Sequence, residues 1–128
     1  MRDATVIGID HVQVAAPPGC EHEARAFYGD LLGLAEIGKP ETVAGRGGAW
    51  FSAGGQQLHV GVERSFSPAR KAHPALRVAT RRGLEELAAR LVETGRSLTW
   101  DSGLPGVTRF FVDDPWGNRL EVLASTEP

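Results

Sequence analysis

Only one cysteine, Cys20, occurs in 128 residues, so no internal disulfide can close and no cysteine cage for zinc can form. Any bound metal must be held by histidine and carboxylate. Nowhere does an apolar run approach the roughly 20 residues that cross a bilayer. The opening MRDATVIGID has neither the basic and apolar regions nor the cleavage site of a secretory signal. These absences point away from the membrane and toward the cytoplasm. An excess of one charge is missing as well: 14 basic residues face 16 acidic ones, for a net charge of −2. With the arginines scattered along the chain, a nucleic-acid partner has no electrostatic footprint. What remains is ordinary globular composition, 41% hydrophobic and 23% charged. A chain of this length buries about two-thirds of its unfolded surface, enough for a single domain.

The chain divides into two similar halves related by an offset of 62 residues. At that offset His11 falls on His73, Gly33 on Gly95, Gly55 on Gly117, Leu58 on Leu120, His59 on Glu121 and Val60 on Val122. Each half has the same plan. In the first, VIGIDHVQVAA alternates as a strand does and is broken by Pro17, Pro18 and Gly19. Ala24, Phe27, Tyr28, Leu31 and Leu32 then form one helical stripe that Gly33 terminates. AEIG, GAWFSA and QQLHVGVE follow, the last two as a hairpin around Gly54 and Gly55. The second half runs through HPALRVAT, a helix striped by Leu84, Leu87, Ala88, Leu91 and Val92, and the strands SLTW, VTRFFVDD and NRLEVLA. The fold expected is α+β: two tandem βαβββ modules, about 5–64 and 73–125, joined by a linker at 65–72. A four-stranded sheet with a helix on one face is cupped and open on the other, so two cupped mixed sheets can enclose a cleft.

Period-two alternation says which side chains enter that cleft. Val12 and Val14 share one face, His11 and Gln13 the other. Leu58, Val60 and Val62 oppose His59, Leu120 and Val122 oppose Glu121, and Leu76 and Val78 oppose His73, Ala75 and Arg77. An imidazole or carboxylate thus interrupts each apolar strand on the face away from the helix. A carboxylate buried there without a partner would lose several kcal/mol or titrate upward; a divalent cation removes that difficulty. His11, His59, His73 and Glu121 are therefore the candidate metal ligands. Three imidazoles and one carboxylate suit zinc, nickel, cobalt, manganese or iron, with positions left for substrate oxygens. His22 lies off the helical stripe and is expected in solvent, whereas Phe27 and Tyr28 are expected in the core. In DPWGN, Pro115 presets φ, Gly117 can turn left-handed, and Asp114 and Asn118 close a hairpin loop. Counting back from that loop sets Phe111 opposite Glu121, with Arg109 on the same face. Arg109, Phe111, Gln13 and Arg77 are the candidate substrate contacts, Arg109 for an anionic group.

IDHVQVAAP, ARAFYGDLLGL, GGQQLHVGVE, KAHPALRVAT and above all FFVDDPWGNRLEVL resemble the glyoxalase, bleomycin-resistance and extradiol-dioxygenase members of the vicinal oxygen chelate superfamily. The resemblance covers nearly the whole chain. It implies ligands on the first and last strands of both modules, at His11, His59, His73 and Glu121, and one divalent metal ion. It further implies Glu121 as a proton shuttle, a small-molecule substrate that chelates through two neighbouring oxygens, and a homodimer whose modules pair within one chain or between two. In glyoxalase I-like relatives the second ligand is commonly Glu or Gln, and His59 departs from that pattern.

The activity expected is that of a metal-dependent lyase or isomerase of glyoxalase type, working by proton abstraction beside a carbonyl. One alternative is an extradiol-type dioxygenase, for which His11, His73 and Glu121 make a two-histidine, one-carboxylate triad. Enzymes of that type usually carry further acid–base His and Tyr residues, and only His22 and Tyr28 remain here. A fosfomycin-type thiol transferase shares three ligands, but no arginine follows Glu121 to hold a phosphonate. The alternative from outside catalysis is a drug-sequestering protein of the bleomycin-resistance kind, whose members generally lack the ligand set retained here.

Overall fold

The computed structural model of the chain describes residues 4–126; the ends of the expected 1–128 domain lie outside them. Four strands, β1 (His11–Ala16), β2 (Ala35–Ile37), β3 (Ala49–Ala53) and β4 (Gln56–Val62), form one sheet in the order β1-β4-β3-β2. A second sheet, in the order β5-β8-β7-β6, contains β5 (Ala75–Arg77), β6 (Thr99–Asp101), β7 (Val107–Asp113) and β8 (Arg119–Ser125). In both, the first strand runs parallel to the last and the remaining pairs are antiparallel. The architecture is α+β with two tandem βαβββ modules, the strand-free stretch 63–74 lying between them. No helix among the described residues is long and apolar enough to cross a membrane.

One face of each sheet carries the core. Val14, Ala16, Phe51, Leu58 and Val60 of the first sheet and Phe110, Val112, Leu120, Val122 and Ala124 of the second are buried. They share one cluster with Ala24, Phe27 and Tyr28 and with Leu84, Leu87, Ala88 and Leu91 of the two helices. At about 0.8 kcal/mol per buried methylene, this apolar face is the main source of stability.

Five local features differ from the sequence reading. The first strand begins at His11, and Ala4 to Asp10 lie exposed outside it, with only Asp10 O reached from β4, by Gln57 N–H at 3.3 Å; alternation alone does not supply a neighbouring strand. His73 likewise stands two residues before β5. The first helix, α1 (Glu21–Ala24), widens into a π-helical stretch, Arg25–Leu31, in which Leu32 N–H donates to Phe27 O at 2.9 Å. The adjacent aromatics Phe27 and Tyr28 of this stretch are both buried. A short helix, α2 (Glu41–Ala44), fills the connection between β2 and β3. In the last helix, α3 (Arg81–Glu93), Val92 is 57% exposed. It sits roughly 80° around the helix from Leu84, at the edge of the stripe.

The two modules are tied by one buried knot at the β7–β8 turn. Asp114 Oδ1 accepts the backbone N–H groups of Trp116 (3.0 Å) and Asn118 (2.8 Å). Its Oδ2 accepts Tyr28 Oη from the first helix (2.8 Å) and Asn118 Nδ2 (2.9 Å). Asn118 in turn donates to Ala15 O on β1 (2.7 Å) and accepts Ala69 N–H from the linker (3.0 Å). Gly117, at φ 95°, makes the turn that lets this happen. Burial lifts the Asp114 carboxyl above the usual carboxylate range, while its bonds from Asn118 and Tyr28 pull it back down. Asp114→Asn replaces an acceptor with an NH2 group facing other donors. It should lower the free energy of unfolding by about 1–3 kcal/mol in a urea titration; an unchanged midpoint would contradict this role.

Candidate functional site

The open face of the first sheet is ordered by strand register. Gln13, His59, Trp50 and Ile37 form one row across β1, β4, β3 and β2, and His11, Gln57 and Ser52 lie in the next. His59 is held between two rings. Trp50 stacks on it at a centroid distance of 3.8 Å with 2° between planes, and His11 stacks on the other side at 4.2 Å and 17°. This sandwich buries His59 although it faces away from the core. Its Nε2 lies 2.9 Å from Gln57 Oε1, an acceptor, which fixes the proton there and leaves the Nδ1 lone pair free. His11 Nδ1 lies 2.9 Å from Asp10 Oδ1, which leaves its Nε2 lone pair free; a carboxylate behind a histidine is a usual way to orient a metal ligand.

Trp50 is placed by the approach to β3. Gly48 N–H donates to Glu21 Oε2 at 2.6 Å, which holds the Glu21 carboxyl below its ordinary range. Lys39 Nζ donates to Gly47 O at 2.6 Å. At φ 84°, a Cβ on Gly48 would stand 2.0 Å from Val60 O, so only glycine passes this point.

On the second sheet, Ala75, Glu121, Phe111 and Thr99 share a row. Glu121 is buried, and each of its oxygens is engaged: Oε1 lies 3.0 Å from His73 Nε2, and Oε2 accepts Arg109 Nη1 at 3.2 Å. Arg109 also donates through Nε to Asp101 at 2.8 Å, so one guanidinium clamps two carboxylates. His73 Nδ1 faces Lys71 O at 2.9 Å, and since a carbonyl only accepts, the proton belongs on Nδ1. The Nε2 lone pair then faces a carboxylate oxygen. Phe111 turns its ring toward His73, centroids 5.7 Å apart, and the Arg119 guanidinium lies 4.0 Å over the same ring. These groups line a cavity of about 480 Å³.

The candidate ligands therefore arrive as two pairs, His11 with His59 and His73 with Glu121. Among the described residues, no three His, Cys, Asp or Glu side chains gather in position to hold a metal ion. A second cavity, of about 500 Å³ at the edge of β1, is lined by Gln13 and His73. Phe111 stands opposite Glu121, with Arg109 on the same face. Arg77 is exposed on β5 and borders neither cavity, and His22 is exposed on α1. Sequence reasoning passed over Asp10, Trp50, Asp101 and Arg119. Trp50 and Arg119 had a signal, since each alternates with a core residue on its strand; Asp10 and Asp101 matter only through the partner each orients.

Stacking limits what the first pair can do. An imidazole lone pair lies in its ring plane, and two planes stacked at 17° cannot both contain one nearby ion. Shared coordination by His11 and His59 requires one ring to turn.

Residues 8–122 match the model of the Glyoxalase/Bleomycin resistance protein/Dioxygenase superfamily. The chain belongs to that superfamily. It is similar to a crystal structure described as a glyoxalase family protein from Bacillus anthracis, at 49% identity and TM-score 0.90, over 98% of this chain and 100% of that one. The lactoylglutathione lyase of Agrobacterium tumefaciens shares the fold at 18% identity and TM-score 0.74, over 94% of this chain and 96% of its own. The fosfomycin resistance protein FosX of Listeria monocytogenes does so at 15% identity and TM-score 0.75, over 96% and 97%. No curated protein sequence matches the chain.

Burial first, and then the neighbouring His11, depress the pKa of His59 below the usual imidazole value. A histidine with a depressed folded pKa adds stability that is present above about pH 6.5 and lost as pH falls through the folded value. In an NMR titration of metal-free protein, His59 should stay more than half neutral at pH 6.5. A midpoint at or above that value would show that the stack does not exclude water.

Proposed function

We propose that the chain is a metal-dependent, glyoxalase-like lyase or isomerase for a small oxygenated metabolite. One divalent ion is held by His11, His73 and Glu121 and, once a ring of the stack turns, by His59. The observation that carries this reading is the contact between His73 and Glu121. A nitrogen lone pair and a carboxylate oxygen, both acceptors, face each other at 3.0 Å, an arrangement that a proton or a cation reconciles. Lys71 O and Asp10 fix the tautomers that a ligand needs at His73 and His11. Borderline nitrogen donors with one carboxylate fit zinc, nickel, cobalt, manganese or iron. When bound, such an ion acts as a Lewis acid toward two neighbouring substrate oxygens.

The chain's own groups supply the rest. Arg109 keeps hold of Glu121 Oε2, so Oε1, the oxygen that faces His73, would have to leave the ion to take a proton from the carbon beside the substrate carbonyl and return it. Phe111 and Gln13 bound the substrate space. Because the donor pairs sit on different sheets, we place the complete site between two copies of the chain, module one of one copy facing module two of its partner. Val6, Ile7 and Ile9, 78%, 97% and 67% exposed just before β1, support that arrangement: an apolar run beside a half-site is surface for a partner to cover.

The stacking of His59 favours a second reading. If His59 stays in its sandwich, the ligands reduce to two histidines and one carboxylate, the set used by non-haem iron dioxygenases. Titration of metal-free protein with cobalt separates the two. His11→Ala, His73→Ala and Glu121→Ala should each abolish stoichiometric binding of one ion per chain. His59→Ala should weaken it less, and exposed His22→Ala should leave it unchanged. Wild-type affinity in His59→Ala would favour the triad, and wild-type affinity in Glu121→Ala would overturn the site.

A further inference from the structure

We propose that Arg119 anchors a carboxylate of the substrate at the Phe111 end of the cavity on the second sheet. Three cations border that cavity, Lys71, Arg109 and Arg119, against two carboxylates, Asp101 and Glu121. Arg109 is committed, since it pairs with both carboxylates and thereby occupies them. Arg119 has no ion-pair partner among the described residues. Its guanidinium lies over the Phe111 ring at 4.0 Å, and its backbone is pinned by donation of its N–H to Ala69 O at 2.9 Å. The Arg109 guanidinium lies over the same ring at 5.1 Å but is spent on Asp101 and Glu121, whereas the Arg119 N–H groups can meet a carboxylate in two-point contact.

Position selects the ligand further. Arg119 stands two residues before Glu121 on β8, on the same open face. Two residues of strand span roughly 6–7 Å, so an acid held by Arg119 extends its remaining oxygens toward Glu121 and His73. The ligand class is a small carboxylic acid with oxygen functions a few bonds from its carboxylate. Arg109 is thereby reassigned from substrate anchor to positioning residue for Glu121.

The inference rests on the proposed function only in taking the His73–Glu121 cavity as the substrate end of the site. It can be tested without metal. Chelator-treated protein is titrated with benzoate and with benzamide, its neutral counterpart, by NMR and calorimetry. Wild type should bind benzoate and discriminate against benzamide. Arg119→Ala should lose roughly tenfold to a hundredfold in benzoate affinity, the scale of a charge-assisted pair, with Arg119→Lys intermediate. Arg82→Ala, which removes a charge on α3 far in sequence from the cavity, should bind as wild type does. Absence of benzoate binding in wild type, equal binding of benzamide, or wild-type affinity in a folded Arg119→Ala would overturn the proposal. Cobalt titration of the same Arg119→Ala protein reports separately: normal cobalt binding with lost benzoate binding supports the anchor, whereas wild-type protein that takes benzoate but no cobalt leaves the anchor standing and removes the metal reading.

Discussion

A single buried carboxylate holds the two halves of the molecule in place. Asp114 collects four donors on its two oxygens, and Asn118, fixed by that carboxylate, reaches both β1 and the linker. A buried polar knot stabilises only when every member is satisfied, and no buried side-chain nitrogen or oxygen among the described residues lacks a partner. Because the knot lies on the turn leading into β8, it also sets where Glu121 stands. The helices cover one face of each sheet, the knot locks the modules together, and the other faces are left with their histidines, carboxylates and aromatic rings.

Those faces differ in how they treat their charged groups. On the first sheet, aromatic stacking buries an imidazole, and that burial lowers its pKa; on the second, a guanidinium and an imidazole bracket a carboxylate. The first half-site is therefore built on stacked rings, the second on closely paired charged groups. A site built from one of each joins nitrogen donors to a preoriented carboxylate. It also explains why His59 is the least committed of the four: leaving its sandwich means giving up contact with Trp50 or His11.

Much of this was legible in the sequence, for a physical reason. A repeat offset, period-two alternation and the DPWGN turn are properties of the chain itself, so the two modules, the open faces and the opposition of Phe111 to Glu121 followed from them. Partnership is not written that way. The stretch from Val6 to Asp10 alternates like a strand yet joins no strand, and no pattern announces the π-helical widening at Arg25–Leu31. Arg109 was recognisable as a cleft residue, but its commitment to Asp101 depends on a side-chain contact between strands that no pattern announces. Trp50 was hidden in GAWFSA, a strand whose two faces were not assigned.

The central claim is that the site is completed between two copies of the chain. It is tested most directly by mixing two inactive variants, His11→Ala and Glu121→Ala, under conditions that exchange subunits, and measuring bound cobalt. Each mixed dimer would contain one site with all its ligands and one with none of the damaged partners intact, so cobalt binding should recover to about a quarter of the wild-type level at equal proportions. If every site were built within one chain, both variants would remain dead in any mixture, and no recovery would contradict the account.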